Sequence, residues 1–409
     1  MLRLPEWSLW MWALLGCALT TAGVAAPPLH YERQRLALPD ETVEVRLPAG
    51  YRLELLTAAL DSPRLLSFAA DGELFIGSRS GQVYRLAPPY TAADVLVELD
   101  GYPHSVARRD GEILIARTDG LYRADYAPGQ ARIGRAALSR LAALPGGSGH
   151  NSRSVAIGPD GRVYLSLGIS GNCSDQYLGA AYPFQARRGG ILVLNEVADP
   201  PRWETYGSGL RNPVGFDWHP RTGELYASNN GPDHHGYGQP PEYFSRITAG
   251  SFHGMPWFQF DGQRIRRDDC IARDPPHPLG DVTPPVATFP ARNAPMGVAF
   301  VPAGALGGLL DFDAVVALRG SWGTRPDGGF LGDAATRRPP KLVVVRFEEG
   351  RAQRVDDLVT GFQAEDGERW ARPVGVAIGP DGALYFTSDS GVNGLFRLTR
   401  QGAARRAHD

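Results

Sequence analysis

The chain has 409 residues, and its 42 basic and 44 acidic side chains leave a formal net charge of −2. That balance advertises no basic face for a polyanion, which sets nucleic acid aside as a partner. Glycine and proline are abundant, at 50 and 34 residues against 4 methionines, as suits many short strands joined by turns.

Residues 1–25 read as a secretory signal peptide. Arg3 precedes an apolar run over 9–15, and small residues gather from Thr20 to Ala26. Cleavage after Ala25 leaves 26–409 as one domain and directs it to the periplasm. A competing reading takes Leu14-Leu15-Gly16-Cys17 as a lipobox, with Cys17 carrying a lipid anchor. Beyond Pro27 no apolar run is long enough to span a bilayer.

One pattern then recurs six times: an alternating apolar strand, a turn built on Asp-Gly or its equivalent, and a second alternating strand. The copies begin near Ser67, Ser105, Val155, Gly215, Gly297 and Gly375, with turns at Asp71-Gly72, Asp110-Gly111, Asp160-Gly161, Thr222-Gly223 and Asp381-Gly382. Asp-Gly accepts the positive φ of a tight hairpin, and alternation buries one side chain in two between stacked sheets. Repeats of about 40 residues or more, each with several strands, predict an all-β, six-bladed β-propeller. The strands at 43–47 and 52–55 are expected to close the ring beside the last blade. Spacing widens in the later blades, where 232–293 and 320–340 stand out as long insertions. The first, rich in Pro, Trp and Phe, is expected to overhang one mouth of the propeller. Behind the leader only Cys173 and Cys270 remain, and spacing does not decide between a disulfide and two thiols.

Five segments stand out near the heads of successive blades: Gly149-His150-Asn151-Ser152-Arg153, Gly209-Leu210-Arg211-Asn212-Pro213-Val214-Gly215, Asn230-Gly231-Pro232-Asp233, Gly254-Met255-Pro256-Trp257 and Arg372-Pro373-Val374-Gly375-Val376. In this order they resemble the PQQ-dependent soluble sugar dehydrogenases: soluble glucose dehydrogenase, aldose sugar dehydrogenases and sorbosone dehydrogenases. The likeness runs from about 144 to 398 and is nearest the sorbosone-type branch.

The resemblance implies oxidation of a sugar hydroxyl or aldehyde, with PQQ and Ca2+ as cofactors and a quinone or cytochrome as electron acceptor. His150 matches the general base, a role that suits an imidazole titrating near neutrality. Arg211 and Asn212 match residues on the cofactor, Arg211 near its quinone oxygens. Arg319, Arg369 and Arg372 match basic residues that would grip its carboxylates. Backbone carbonyls of Gly231 and Pro232 match the calcium seat. His104, ahead of the second repeat, is a further candidate for the central site. Two positions depart from the glucose-type pattern: Ile169 stands where an aspartate orients the base, and Arg319 stands where lysine is usual. His234-His235 invites a transition-metal reading, but adjacent histidines in a Gly/Pro-rich loop rarely converge on one ion. The competing functions are a metal-dependent lactonase and a non-catalytic propeller that binds a glycan or protein.

Overall fold

The computed structural model describes residues 27–402, so the expected leader and Cys17 lie outside the described residues. The predicted all-β architecture is what the chain forms: six sheets, each built on four antiparallel strands, arranged as the blades of a propeller. Blades one to six span 63–98, 105–143, 153–208, 216–289, 295–359 and 371–400. Each copy of the sequence repeat is the inner hairpin of one blade, and its turn glycine takes the expected positive φ: +85° at Gly72, +72° at Gly111, +77° at Gly161, +69° at Gly223 and +73° at Gly382. Among the described residues no helix is long and apolar enough to cross a membrane.

Second strands such as Leu74–Ser78 and Ala314–Leu318 are buried along their whole length, because a blade has a neighbour on both faces. Phe75, Ile113 and Ile115 share one inter-blade cluster, with Val83, Val106 and Tyr126 around them. Each such aliphatic or aromatic side chain is worth about 1.5–3 kcal/mol of burial.

Two features differ from the sequence-based expectation. Only one early strand closes the ring: Tyr51–Thr57 pairs antiparallel with Gly394–Arg400 as the outer strand of blade six. The strand Thr42–Pro48 instead forms a hairpin with Tyr31–Ala37, packs Val45 and Leu47 into the core with Leu358, Phe362 and Leu398, and bridges Arg46 to Thr360 at the end of blade five. Secondly, 232–293 is not purely an insertion. It contains the third and fourth strands of blade four, Glu242–Ile247 and Ala287–Phe289, and Ser251–Phe252, which adds a parallel fifth strand to blade three.

Around the axis neighbouring inner strands pack backbone to backbone. A Cβ on Gly215 would lie 2.6 Å from Gly297 Cα, one on Gly297 2.7 Å from the Val374 carbonyl, and one on Gly375 2.6 Å from the Arg64 carbonyl. Buried hydroxyls stitch the same seam. Ser67 donates to Val106 O, Ser105 to Arg153 O, Ser154 to Val214 O, Ser228 to Met296 O and Thr387 to Arg64 O. Gly297→Ala should therefore destabilise the protein by about 1–3 kcal/mol through overpacking. Gly134→Ala, where an added methyl meets nothing within 4 Å, should stay within about 0.5 kcal/mol. Urea unfolding of the two variants checks the contrast; equal stabilities would show that the axial seam tolerates a side chain.

Candidate active site at the propeller mouth

Inner strands all run the same way along the axis, so the residues before them collect at one end. The residues that follow each antiparallel second strand arrive at that same end. Chain segments around Arg64, His150, Arg211, Arg292 and Arg372 thus meet those around Ile169, Gly231, Arg319 and Asp389. Their sequence separation is large, and their proximity follows from blade topology alone.

His150 sits half-buried on the loop before the first strand of blade three. Its Nδ1–H donates to the carbonyl of Ile169 at 2.7 Å, which leaves Nε2 as the ring's acceptor. Ile169 N–H donates in turn to Arg211 O at 2.8 Å, so this one residue fixes both the histidine ring and the arginine segment. A Cβ on Gly168 would lie 2.6 Å from Asn212 Oδ1 and 2.7 Å from His150 Cβ; only glycine allows those two side chains to flank it so closely. Below the loop, Arg153 and Arg188 are fully buried and both donate to the His150 carbonyl, at 2.9 and 2.7 Å. Burial, and then the positive charges of Arg211, Arg188 and Arg153, push the His150 pKa down to about 4 despite the Ile169 contact. At neutral pH the ring is a neutral imidazole in a single tautomer.

Arg211 is buried, and its guanidinium donates to Asn172 O at 2.9 Å, Asn172 Oδ1 at 3.0 Å and Asp233 Oδ2 at 3.3 Å. Arg292 holds the other oxygen of Asp233 at 3.1 Å. Arg292 and Ala294 are both non-glycine residues at positive φ, +64° and +52°, a cost that a site tolerates when the surroundings over-determine the backbone. Gly231 and Pro232 are buried, and the Gly231 N–H donates to Glu242. Burial pushes the Glu242 carboxyl up to about 7, against its backbone hydrogen bonds. A buried carboxylate beside a carbonyl-bearing turn suits a hard cation.

Across the mouth, Asp389 has a fully buried side chain and accepts from Arg64 and, at 2.9 Å, from Arg319. Arg372 donates to the carbonyls of Arg319 and Gly320, both at 2.9 Å. Burial, followed by the charges of Arg319 and Arg369, pushes its pKa down to about 9. Arg369 is braced by Gln363 Oε1 at 2.7 Å and Arg338 O at 3.1 Å. Arg64, Arg319 and Arg372 thus act on the one carboxylate of Asp389, with Arg369 next to Arg319 and Arg372, an excess of positive charge that a multiply charged anion would relieve.

The structure gathers all the site residues read from the sequence at this mouth, and it sharpens three expectations. The Ile169 departure leaves the His150 ring oriented, because the backbone carbonyl at that position accepts its Nδ1–H. His104 is not a second base: it is fully buried at the axis, its Nδ1–H donating to Arg153 O at 3.1 Å, and burial and nearby arginines hold its pKa well below the usual range. His234 and His235 each donate to one oxygen of Asp268, at 3.0 and 3.1 Å. Sequence reasoning missed Arg64, Asn172, Glu242, Arg292 and Asp389. No spacing signals them; only the repeat-by-repeat position, at the start of an inner strand or the end of a second one, marks Arg64 and Asp389.

Buried polar atoms lacking a partner at this end include Arg64 Nε, Asn212 Oδ1, Asn229 Nδ2 and Asn293 Oδ1. Unpaired buried polar groups are costly, and their concentration here fits a polar ligand.

Residues 140–320 match the family model described as glucose / sorbosone dehydrogenase. That segment carries His150, Arg211, Asn212, Gly231, Pro232 and Arg319, while Arg369 and Arg372 lie beyond it. The whole propeller is similar to the holo PQQ domain of pyranose dehydrogenase from Coprinopsis cinerea, with a TM-score of 0.69 at 20% identity, covering 89% of this chain and 98% of that one. It is also similar to the calcium structure of a Trichoderma reesei carbohydrate-active enzyme of family AA12, with a TM-score of 0.71 at 18% identity over 87% and 96% of the chains. An uncharacterized protein of Borreliella burgdorferi is 24% identical over 382 residues, 89% of this chain and 93% of that protein.

For the segment 140–320 the electrostatics set a test. His150 should titrate near pH 4 in the isolated protein, staying neutral above it and gaining a proton as pH falls through it. Removing the Arg211 charge, as in Arg211→Met, should move that midpoint upward. Histidine ring NMR across the acid range measures both; a His150 midpoint near 6.5 would mean the ring is neither buried nor in a cationic field.

Proposed function

We propose that this protein is a PQQ- and calcium-dependent dehydrogenase that oxidises a hydroxyl or aldehyde of an aldose or sorbosone-like sugar and delivers the electrons to a respiratory quinone or cytochrome. One observation carries the reading most: a single-tautomer histidine, its Nε2 left as acceptor, stands within a ring of arginines that outnumber the carboxylates.

The residues fit the cofactors in kind. Arg319, Arg369 and Arg372 would hold carboxylates, with Asn212 and Arg211 on the side nearer His150, and Gly231 and Pro232 would offer carbonyl oxygens to calcium. When bound, PQQ supplies the two-electron acceptor and calcium polarises it. The chain's own contribution is the proton: His150 Nε2 takes it from the sugar hydroxyl while Ile169 keeps the ring in place. Because its proton affinity is depressed, His150 is available as a base throughout the neutral range. Arg211, clamped by Asn172 and Asp233, keeps a fixed charge beside the reacting carbon without moving to meet it.

A lactonase would need several carboxylates free to converge on one metal. Asp233 and Asp389 are instead taken up by arginines, and Glu242 by backbone amides. A purely binding propeller gives no reason to hold His150 in one tautomer.

We further propose export to the periplasm. Cys173 and Cys270 are joined, with Cα atoms 5.9 Å apart, and a bond of this kind persists in an oxidising compartment. Mass spectrometry of the native product should find it starting at Ala26; a chain retaining residues 1–25, or a lipidated Cys17, would overturn that placement in part or whole.

The catalytic reading is tested by loading the mature protein with PQQ and Ca2+ and following reduction with a panel of aldoses and aldehydes. His150→Ala should lower the single-turnover rate by about 10²–10⁴-fold while PQQ affinity stays as in the wild type. Arg372→Ala should weaken PQQ binding. A wild-type rate in His150→Ala would remove the histidine from the chemistry, and no PQQ binding by the wild type would remove the function.

A further inference from the structure

The segment that follows the second strand of blade five reads Arg319-Gly320-Ser321-Trp322-Gly323-Thr324, and it runs among the arginines of the mouth. Gly320 N–H donates to Asn293 O at 3.0 Å, and the Gly320 carbonyl accepts from Arg372 at 2.9 Å. Ser321 is fully buried: its N–H donates to Arg338 O at 3.0 Å, its hydroxyl donates to Gly323 O at 2.7 Å, and Arg338 N–H donates to its Oγ at 2.8 Å. Thr324 is buried as completely, with its N–H on Gly329 O at 2.7 Å. A Cβ on Gly323 would lie 2.3 Å from Gly328 O, so the turn is closed tightly on itself.

Between these anchored neighbours Trp322 is 50% exposed. Of the five tryptophans among the described residues it alone is exposed, and it belongs to none of the hydrophobic clusters that hold the blades together. Its indole lies against the site instead: the Arg292 guanidinium sits over the ring, 5.8 Å from the centroid. Arg292 is itself buried and pairs with Asp233, the carboxylate that also holds Arg211. A lone aromatic on a protein surface is ordinary. One fixed by buried backbone on both sides, at the rim of a charged mouth, adds nothing to packing and offers a flat apolar face already held in place.

Such a face matches one kind of surface in the proposed substrate class. A closed sugar ring turns its C–H bonds toward its two faces and its hydroxyls toward its edge, so it can cover an indole while the edge meets polar groups. An open-chain hydroxy-aldehyde has no face of that kind. We propose that Trp322 is the surface on which the sugar stacks, and that the substrate is therefore bound as a closed ring rather than as a free aldehyde. The inference rests on the sugar-oxidising reading above, which leaves hydroxyl and aldehyde open, and it selects the hydroxyl. A ring presents its anomeric hydroxyl, not a free carbonyl, to His150; Trp322 touches the ring and takes no part in moving the proton.

The experiment follows single-turnover reduction of the PQQ- and calcium-loaded protein against substrate concentration, which separates half-saturation from limiting rate. The substrates are the aldose that the wild type oxidises best and glyceraldehyde, which is too short to close a ring. With the aldose, Trp322→Ala should raise half-saturation by about 10-fold and leave the limiting rate and PQQ affinity unchanged. Trp322→Phe should recover most of that loss, and with glyceraldehyde the alanine variant should lose nothing further. Circular dichroism matching the wild type confirms that the variants are folded. In a second arm, methyl pyranosides, locked as rings, are added to protein free of PQQ. They should blue-shift its tryptophan emission, and Trp322→Phe should abolish the shift. The proposal is overturned if Trp322→Ala keeps the wild-type half-saturation, if it loses as much with glyceraldehyde as with the aldose, if glyceraldehyde reduces the cofactor and no aldose does, or if the pyranosides leave the emission unchanged. Slower re-oxidation by the electron acceptor with unaltered sugar dependence would overturn it too, by giving the indole to the acceptor. The fluorescence arm needs neither PQQ nor turnover. A protein that binds pyranosides through Trp322 and never reduces PQQ would sink the dehydrogenase reading and leave the stacking surface standing.

Discussion

Direct backbone contact between neighbouring blades at the axis is the constraint on which the rest of the structure depends. Inner strands approach this closely only because Gly215, Gly297 and Gly375 carry no Cβ, and because Ser105, Ser154, Ser228 and Thr387 satisfy carbonyls at the seam. A buried carbonyl without a donor would cost as much as the packing gains. With the inner strands locked in rotation and height, the loops at their starts hold fixed relative positions. His150 and Asn212 flank Gly168, and Arg319 and Asp389 meet across two blades, without any loop having to fold around a ligand.

Much of this was legible in the sequence because it is written locally. Hairpin turns announce themselves through Asp-Gly pairs, and six copies with two-residue alternation leave little choice of architecture. The His150 loop is legible for the same reason: in Gly149-His150-Asn151-Ser152-Arg153 the arginine turns back to hold the carbonyl of the histidine three residues before it. What stayed hidden is what depends on distant segments meeting. Ile169 reads as a lost aspartate because a backbone carbonyl leaves no mark on residue type. Asp389 and Arg64 lie 325 residues apart and look like ordinary strand-end charges. The closing strand was half legible, since 43–47 and 52–55 carry the same alternation and only the ring's geometry selects the second.

Charge at the mouth is arranged in two different ways. Arg153 and Arg188 have no carboxylate partner within hydrogen-bond range among the described residues and spend their donors on carbonyls of the 145–152 loop and Gly168. Burial pushes the Arg188 pKa down to about 10, yet it remains charged at neutral pH. Arg211, Arg292, Arg64 and Arg319 are instead paired with Asp233 or Asp389, which fixes their direction as well as their charge. The first pair supports the His150 loop from beneath; the second set surrounds the space where a ligand would sit.

This division explains why orientation by a carbonyl suits His150. An aspartate at position 169 would fix the ring equally well, but its charge would raise the proton affinity of the imidazole and draw on the field of Arg211 and Arg188. The Ile169 carbonyl orients without supplying charge, so the positive field reaches the histidine undiminished and keeps it neutral. A proton taken up by this imidazole is held weakly, and the same arginines that disfavour it would favour negative charge on a ligand oxygen nearby. On the dehydrogenase reading proposed above, base and field would act together on one event, the departure of a proton from a polarised hydroxyl, and the backbone of one buried isoleucine would allow both.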